Sequence, residues 1–298
     1  MAKYSSKLSV NILTFKTDKR ILKNCIDSID KSISINIIEN SKKFQNSSYF
    51  KKKRKNLKIF CTGRNFGYGK GHNYGLSKTN SRYVLICNPD VVFSKNYFKN
   101  LSKYLKSNFN FCMIGSQYSK SKMNLPAYGL FSLKKINPAI SKNEFGLQKV
   151  DWIVGCTILF DLKKFISKKI FDENIFLFYE ETDLCKRVIY KNGKIFSSPN
   201  LIINHLGEKG SFASKPEFKI DYIKLRNWHL MWSSFYFKKK HYGYFFSFIN
   251  HFPSLIKDLI RIMIYSIFYN EEKYNKHCYR FLGLLNSIIG KKSKLRIQ

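Results

Sequence analysis

The sequence predicts an α/β fold with parallel strands, followed by an amphipathic helical extension. Three observations carry this. Residues 8–41 read strand, helix, strand. The apolar run Val84-Leu85-Ile86-Cys87 stops at Asn88-Pro89-Asp90. From Lys215 onward acidic residues thin out, and apolar residues recur at helical spacing. A strand–helix–strand unit joins parallel strands by a right-handed crossover.

Leu8–Phe15 alternates apolar and polar residues and predicts a first strand. Arg20–Ile33 carries Ile21, Leu22, Cys25, Ile26 and Ile29, one helical face. Ser34–Ser41 predicts a second strand ending in polar residues. Lys42–Asn56 is polar, with the basic block Lys51–Lys55, and reads as a solvated loop or helix face. Leu57–Cys61 predicts a third strand. The loop behind it, Gly63–Gly75, is rich in glycine and amide side chains, yet it breaks both familiar nucleotide fingerprints. A dinucleotide motif counted from Gly67 needs glycine at His72. A P-loop ending at Gly69-Lys70 needs glycine at Arg64 and Ser or Thr at Gly71. The loop is either a plain turn or a place where a ligand approaches the backbone closely.

The run Val84–Cys87 is a buried strand, and Pro89 cannot donate to a sheet ladder. Asp90 is therefore presented past the carboxyl end of a strand, where open α/β sheets bind ligands. A helix is expected over 96–105 and a strand over 111–115. Residues 116–149 hold Pro126 and Pro138 and show no period; they read as a long excursion able to fold over a substrate. Residues 150–160 predict a strand in which Gly155 marks a bulge or a nearby ligand. The second acidic stretch follows, Phe171-Asp172-Glu173 and then Glu180-Glu181-Thr182-Asp183, leading into a helix closed by Gly193 in the left-handed C′ position. Acids in a first helical turn either cap the dipole or do chemistry. Residues 194–196 and 201–204 read as two short strands, with His205 just beyond. Further on, Pro253 is expected in the first turn of a helix whose stripe runs from Leu255 to Phe268. That stripe either packs on the preceding domain or lies on a membrane face.

The composition sets limits on partners and compartment. The chain has 298 residues, 54 Lys+Arg against 19 Asp+Glu, and a formal charge of +35. Such a charge points to an anionic partner: nucleic acid, an anionic membrane or a phosphate-bearing substrate. Its wealth of Lys, Asn and Ile also fits AT-rich coding, so charge alone decides nothing. Seven scattered cysteines without zinc spacing fit buried thiols in a reducing compartment. The N-terminus has no signal-peptide core, which predicts a cytoplasmic protein.

Taken together, these residues resemble the inverting family 2 glycosyltransferases, in the rhamnosyltransferase-like branch, over about residues 8–235. The resemblance is carried by Glu39-Asn40-Ser41, Asn65-x-Gly67-x-Gly69-x-x-x-Asn73, Asn88-Pro89-Asp90, Trp152 and Gly155, the run from Phe171, the Glu180–Asp183 cluster with Leu184 and Arg187, and His205. It implies a GT-A type fold, a mixed, mostly parallel sheet between helices, with a catalytic domain over 1–235 and a helical, membrane-associated extension over 236–298. It also implies a sugar transferred from a nucleotide-diphosphate donor, such as dTDP-rhamnose, to a glycan or lipid-linked acceptor. Thr14, Glu39, Asn40, Asn65, Gly67, Asn73 and Asn88 are then expected around the donor, and Trp152 and Gly155 near the acceptor. Asp90 and His205 would hold Mn²⁺ or Mg²⁺. Glu181 would be the base, with Asp183 the second candidate. Glu39 and Glu181 stand where the family has aspartates, each adding one methylene and about 1.5 Å of reach.

The chemistry needs these parts: a divalent cation to stabilise the leaving diphosphate, and a carboxylate to take the acceptor's proton. Two rival readings make other demands. A nucleic-acid-binding protein would carry a recognition motif, and none stands in the sequence, so no nucleic-acid partner is expected. An inactive relative serving as a membrane-bound assembly partner would not hydrolyse a donor.

Overall fold

The computed structural model describes residues 7–107, 109–119, 146–207 and 216–296. The chain divides into two compact units. The first comprises residues 1–66, 70–171 and 181–212; the second comprises 67–69, 172–180 and 213–298.

A nine-stranded mixed sheet is built entirely from the first unit. The strands β1 (Leu8–Thr14), β2 (Ser34–Glu39), β3 (Leu57–Cys61) and β4 (Tyr83–Cys87) lie in the order β3-β2-β1-β4, all parallel. Beyond β4 come β8 (Thr157–Asp161) and then β6 (Met113–Tyr118), each antiparallel to its predecessor. β9 (Ile195–His205) follows parallel to β6, and β5 (Val91–Phe93) closes the order antiparallel to β9. β7 (Gln148–Lys149) also pairs with β9. The longer ladders are parallel, as expected of this fold class. The continuous apolar runs follow from burial on both faces: Val10, Ile12, Ile35, Ile37, Leu85 and Leu159 are wholly buried.

The helix α1 (Lys19–Asp27) starts at Asp18, whose side chain accepts from the Arg20 and Ile21 amides, and it buries the face predicted, through Leu22, Cys25 and Ile26. The polar segment before β3 contains α2 (Ser47–Lys53). Phe50 of α2 is buried and Lys51–Lys53 are exposed. The remaining helices flanking the strands are α3 (Tyr68–Ser77), α4 (Tyr97–Lys106) and α5 (Glu180–Tyr190).

Several expectations need correction. Residues 150–160 do not form one strand. Only Thr157–Asp161 joins the ladder, because the chain turns at Gly155-Cys156. The two short strands after Gly193 are one, β9. Its ladder with β6 slips between Gly115 and Gln117, opposite the stretch that holds Pro199, a residue without an amide donor. The left-handed residue closing α5 is Asn192, at φ 57°, not Gly193. Gly193 is needed for space, since a Cβ there would lie 2.5 Å from Val188 Cγ1. Residues 120–145 of the expected excursion lie outside the described residues.

The second unit contains α6 (Lys219–Tyr242), α7 (Tyr244–Ile267) and α8 (Glu271–Ile288). Met231, Phe235 and Leu284 form their common core, with Phe248, Leu255 and Ile288 packed against it. Pro253 sits inside α7 rather than in its first turn. One proline removes one backbone bond; buried polar contacts at Ser247, His251 and Asp258 hold the helix on both sides of it. Among the described residues no helix is long and apolar enough to cross a membrane.

Candidate active site

The parallel strands bring their carboxyl ends to one edge of the sheet. Thr14 pairs with Glu39, and Glu39 with Cys61, across β1, β2 and β3. Thr14 Oγ1 donates to Glu39 Oε2 at 2.7 Å, and Ser41 Oγ donates to Oε1 at 2.6 Å. Burial pushes the Glu39 carboxyl above its ordinary range, while the Ser41, Thr14 and Lys16 donors pull it back. The extra methylene of Glu39 is thus accommodated inside a cage of donors. Asn40 ties the next loop in place: its Nδ2 donates to Asn65 Oδ1 at 3.0 Å, and its Oδ1 accepts from the Phe66 amide at 2.9 Å. Gly67 belongs to the second unit. It adopts φ 80°, and a Cβ there would fall 2.2 Å from the Phe176 carbonyl oxygen, so only glycine fits.

The edge continues at β4. The short strand β5, which the sequence did not reveal, pairs Val91 with His205 at the end of β9. That register sets Asp90 Oδ1 3.2 Å from His205 Nε2, and Asn88 Nδ2 lies 3.5 Å from the same nitrogen. Asp90 is buried, and its Oδ1 accepts no hydrogen bond. A buried carboxylate oxygen without a donor is costly unless something positive meets it. Carboxylate and imidazole are ligand types for Mn²⁺, and Mg²⁺ is held by one or two carboxylates together with substrate phosphates. The residues therefore fit a divalent cation with an open coordination sphere. No cluster of three or more His, Cys, Asp or Glu ligands occurs among the described residues.

Two residues the sequence reasoning missed complete this corner. The Tyr118 ring lies parallel to the His205 imidazole, centroids 5.8 Å apart and planes 9° apart. The Tyr118 hydroxyl meets Cys156 Sγ at 3.2 Å. Burial raises both groups, the Cys156 thiol to about 11, and the negative charges of Asp90 and Glu181 add to the effect on each. The two acids therefore act on the same Tyr118–Cys156 pair. Tyr118 ends β6 in a stretch taken for irregular chain; continuation of the Met113–Gly115 strand was the signal available.

Glu181 is half-buried in the first turn of α5. Burial raises its carboxyl above the ordinary carboxylate range, opposed by hydrogen bonds from its own amide and that of Thr182. Asp183 is fully buried and bonded to Arg187 Nε at 2.7 Å; Arg187 Nη2 also donates to the Ile170 carbonyl. Of the two acids Glu181 is the one with solvent access. Trp152 Nε1 donates to Thr182 Oγ1 at 3.1 Å, coupling it to the turn that carries Glu181. Gly155 lies in the turn before β8. The Asn73 amide is spent on one residue: Nδ2 donates to the Phe171 carbonyl and Oδ1 accepts from the Phe171 amide, both at 2.9 Å. Asn73 thus fixes the start of the second acidic stretch rather than presenting its amide. Just before α5, Phe178 and Tyr179 both hold φ 67°. Left-handed conformations at consecutive bulky residues cost about 1–3 kcal/mol each and gather at functional sites.

Comparison with known proteins follows from this geometry. Agl10 of Haloferax volcanii, a low-salt glycan biosynthesis hexosyltransferase, is 25% identical over 195 residues, 62% of each chain. The match thus spans about three fifths of that relative's length. The rhamnosyltransferase WbbL of Escherichia coli is 21% identical over 178 residues, 52% of this chain and 67% of its own. Among solved structures, the mannosyltransferase PcManGT of Pyrobaculum calidifontis, in complex with GDP-Man and Mn²⁺, superposes with a TM-score of 0.54 at 9% identity, covering 96% of this chain and 88% of its own. The fold is of the GT-A type. Residues 9–166, more than half of the sequence, match the Glycosyl transferase family 2 model, and the chain belongs to that family.

Proposed function

We propose that this chain transfers a hexose from a nucleotide-diphosphate donor to a hydroxyl of a glycan or lipid-linked glycan precursor, with inversion at the anomeric carbon. The observation that carries the reading is the buried, donor-free Asp90 Oδ1 facing His205 Nε2 on the strand edge that also carries Thr14 and Glu39. The rhamnosyltransferase relative makes dTDP-rhamnose the first donor to try. The reading places the enzyme at the cytoplasmic face of the cell membrane, as a peripheral protein in contact with anionic lipid.

In this mechanism Asp90 and His205 hold Mn²⁺ or Mg²⁺, which as a Lewis acid stabilises charge on the departing diphosphate. Glu39, braced by Thr14 and Ser41, and the Asn40–Asn65 pair orient the nucleoside, with Gly67, Asn73 and Asn88 shaping the donor loops. Trp152 and Gly155 receive the acceptor. Glu181 accepts the acceptor's proton as its oxygen bonds to the anomeric carbon and the bond to the diphosphate breaks. The raised pKa of Glu181 makes it a stronger base than a solvated carboxylate once ionised. Asp183 orients Arg187 and the turn around the base. In-line displacement inverts the centre.

The test is product release. Purified protein is incubated with dTDP-rhamnose and with UDP- and GDP-sugars, with Mn²⁺, Mg²⁺ or EDTA, and the freed nucleoside diphosphate is measured. Release from one donor that stops in EDTA is expected; no release from any donor contradicts the reading.

A further inference from the structure

The helix α7 is amphipathic the wrong way round for a core helix. Its polar residues Ser247, His251 and Asp258 are buried, whereas Phe245, Phe246, Ile249, Ile260, Met263 and Ile267 are exposed, Phe245 by 75% and Ile267 by 72%. Its rotation is fixed by the inward groups. Ser247 Oγ donates to the Phe235 carbonyl at 3.0 Å, and His251 meets Ser234 Oγ at 2.9 Å. Asp258, 1% exposed, binds His277 Nδ1 at 2.6 Å and Arg280 Nε at 3.0 Å. Turning the apolar face inward would strip a buried carboxylate of both partners, which is strongly destabilising. At 24 residues the helix presents this face over about 36 Å, well beyond the scattered apolar residues of an ordinary surface.

Charge indicates what covers it. Lys238, Lys239 and Lys240 end α6 just before α7 begins. Lys239 Nζ lies 5.5 Å over the ring of Tyr244, itself an exposed residue of α7. Lys239 also lines, with Lys291, Lys292 and Tyr236, a cavity of about 330 Å³ in the same unit. The apolar face therefore continues into a lysine-lined cavity. A second copy of a chain carrying +35 would repel this surface; an anionic bilayer supplies both complements, acyl chains for the face and phosphate for the lysines.

We infer that α7 docks on an anionic lipid leaflet through its outward apolar face, with a lipid phosphate held in the Lys239–Lys291–Lys292 cavity. This builds on the membrane location proposed above and names the surface and the headgroup site; it does not depend on sugar transfer. The full chain is sedimented with vesicles of phosphatidylcholine and phosphatidylglycerol at about 7:3 and with phosphatidylcholine alone. Wild type binds the anionic vesicles, and 0.5 M salt weakens binding without abolishing it, because the apolar part is not screened. The variant Phe245→Ser/Ile249→Asn/Ile260→Ser/Met263→Gln, all at exposed positions, loses vesicle binding while its melting and any donor-induced shift in melting are kept. The variant Lys239→Ala/Lys291→Ala/Lys292→Ala, which tests the site even should the first variant misfold, weakens binding to anionic vesicles by about 10²-fold, roughly fivefold per lysine, and leaves neutral vesicles unaffected. Wild type that ignores anionic vesicles, or apolar-face and lysine variants that bind like wild type, overturns the inference. So does a wild-type dimer in light scattering that the apolar-face variant dissociates. A protein that binds vesicles yet releases no nucleotide would keep the docking face and reject the transferase reading instead.

Discussion

Val91 pairs with His205 across β5 and β9, and this single register brings Asp90 Oδ1 to 3.2 Å from His205 Nε2. The two residues are 115 positions apart in sequence, and the ladder that joins them is only three residues long. The site's metal corner therefore depends on a short edge strand held by backbone pairing and by the Leu206 amide, which donates to the Asp90 carbonyl at 3.1 Å.

The first prediction concerns that corner. Asp90→Ala abolishes transfer and Mn²⁺ binding, while circular dichroism and melting stay near wild type, since removing the donor-free Oδ1 leaves no hydrogen bond to that atom broken. His205→Ala weakens Mn²⁺ by about 10-fold or more. Titration calorimetry with Mn²⁺ checks both; metal-dependent activity that survives Asp90→Ala removes Asp90 from the site.

Glu181→Gln keeps shape but cannot take a proton. Turnover falls by about 10²-fold or more with donor binding retained. Because burial raises the Glu181 carboxyl above 4.5, and only the ionised form is a base, activity of the wild type falls as pH drops through that raised value. The acid limb therefore lies above the ordinary carboxylate range, and Glu181→Gln lacks it. If Asp183→Asn is dead and Glu181→Gln is active with an unchanged profile, the base is Asp183. Glu181→Asp is expected to remain active.

Tyr118 is a positioning residue. Tyr118→Phe keeps the stack on His205 and loses only the contact with Cys156; Tyr118→Leu loses the stack. Tyr118→Leu should raise the Mn²⁺ concentration for half-maximal activity several-fold while the Phe variant stays near wild type. Equal Mn²⁺ curves for all three proteins would leave Tyr118 a purely structural role.

How much of this was legible in the sequence follows from the range of the interactions. The strand β1, the buried face of α1 and the presentation of Asp90 are local consequences of apolar periodicity and of Pro89, and they were read correctly. The β5–β9 ladder was not, because three residues carry no detectable period and the partner strand is over 100 residues away. The Tyr118–His205 stack is of the same kind. The segment 150–156 misled because its apolar residues pack as irregular chain, with Ile153 buried beside Gly115. In α7 the spacing revealed a helix, but periodicity cannot tell which face is inward; Asp258 was placed on the outer side and is buried with His277 and Arg280.

Burial also sets the pH response of stability. His72 is fully buried and held at about 3, against 6.5 for an exposed imidazole. The unfolded chain takes up a proton below pH 6.5 that the folded chain refuses until about 3, so stability is fully present above 6.5 and falls as pH is lowered between those values. The contribution is about 1.4 kcal/mol per pH unit for this histidine. Urea unfolding between pH 4 and 7 should show the slope, reduced by that amount in His72→Phe; an unchanged slope contradicts a neutral buried His72.

The central claim is that the Asp90–His205 corner holds a divalent cation that supports nucleotide-sugar binding. The most direct measurement is the melting temperature of the intact protein against a panel of nucleotide-sugars, with and without Mn²⁺. A ligand that binds only the folded state at 100 times its Kd stabilises by about 2.7 kcal/mol, readily seen as a shift. The account predicts that at least one donor raises the melting temperature in Mn²⁺, that EDTA removes the shift, and that Asp90→Ala never shows it. A shift that persists in EDTA or in Asp90→Ala, or no shift with any nucleotide-sugar, would contradict it.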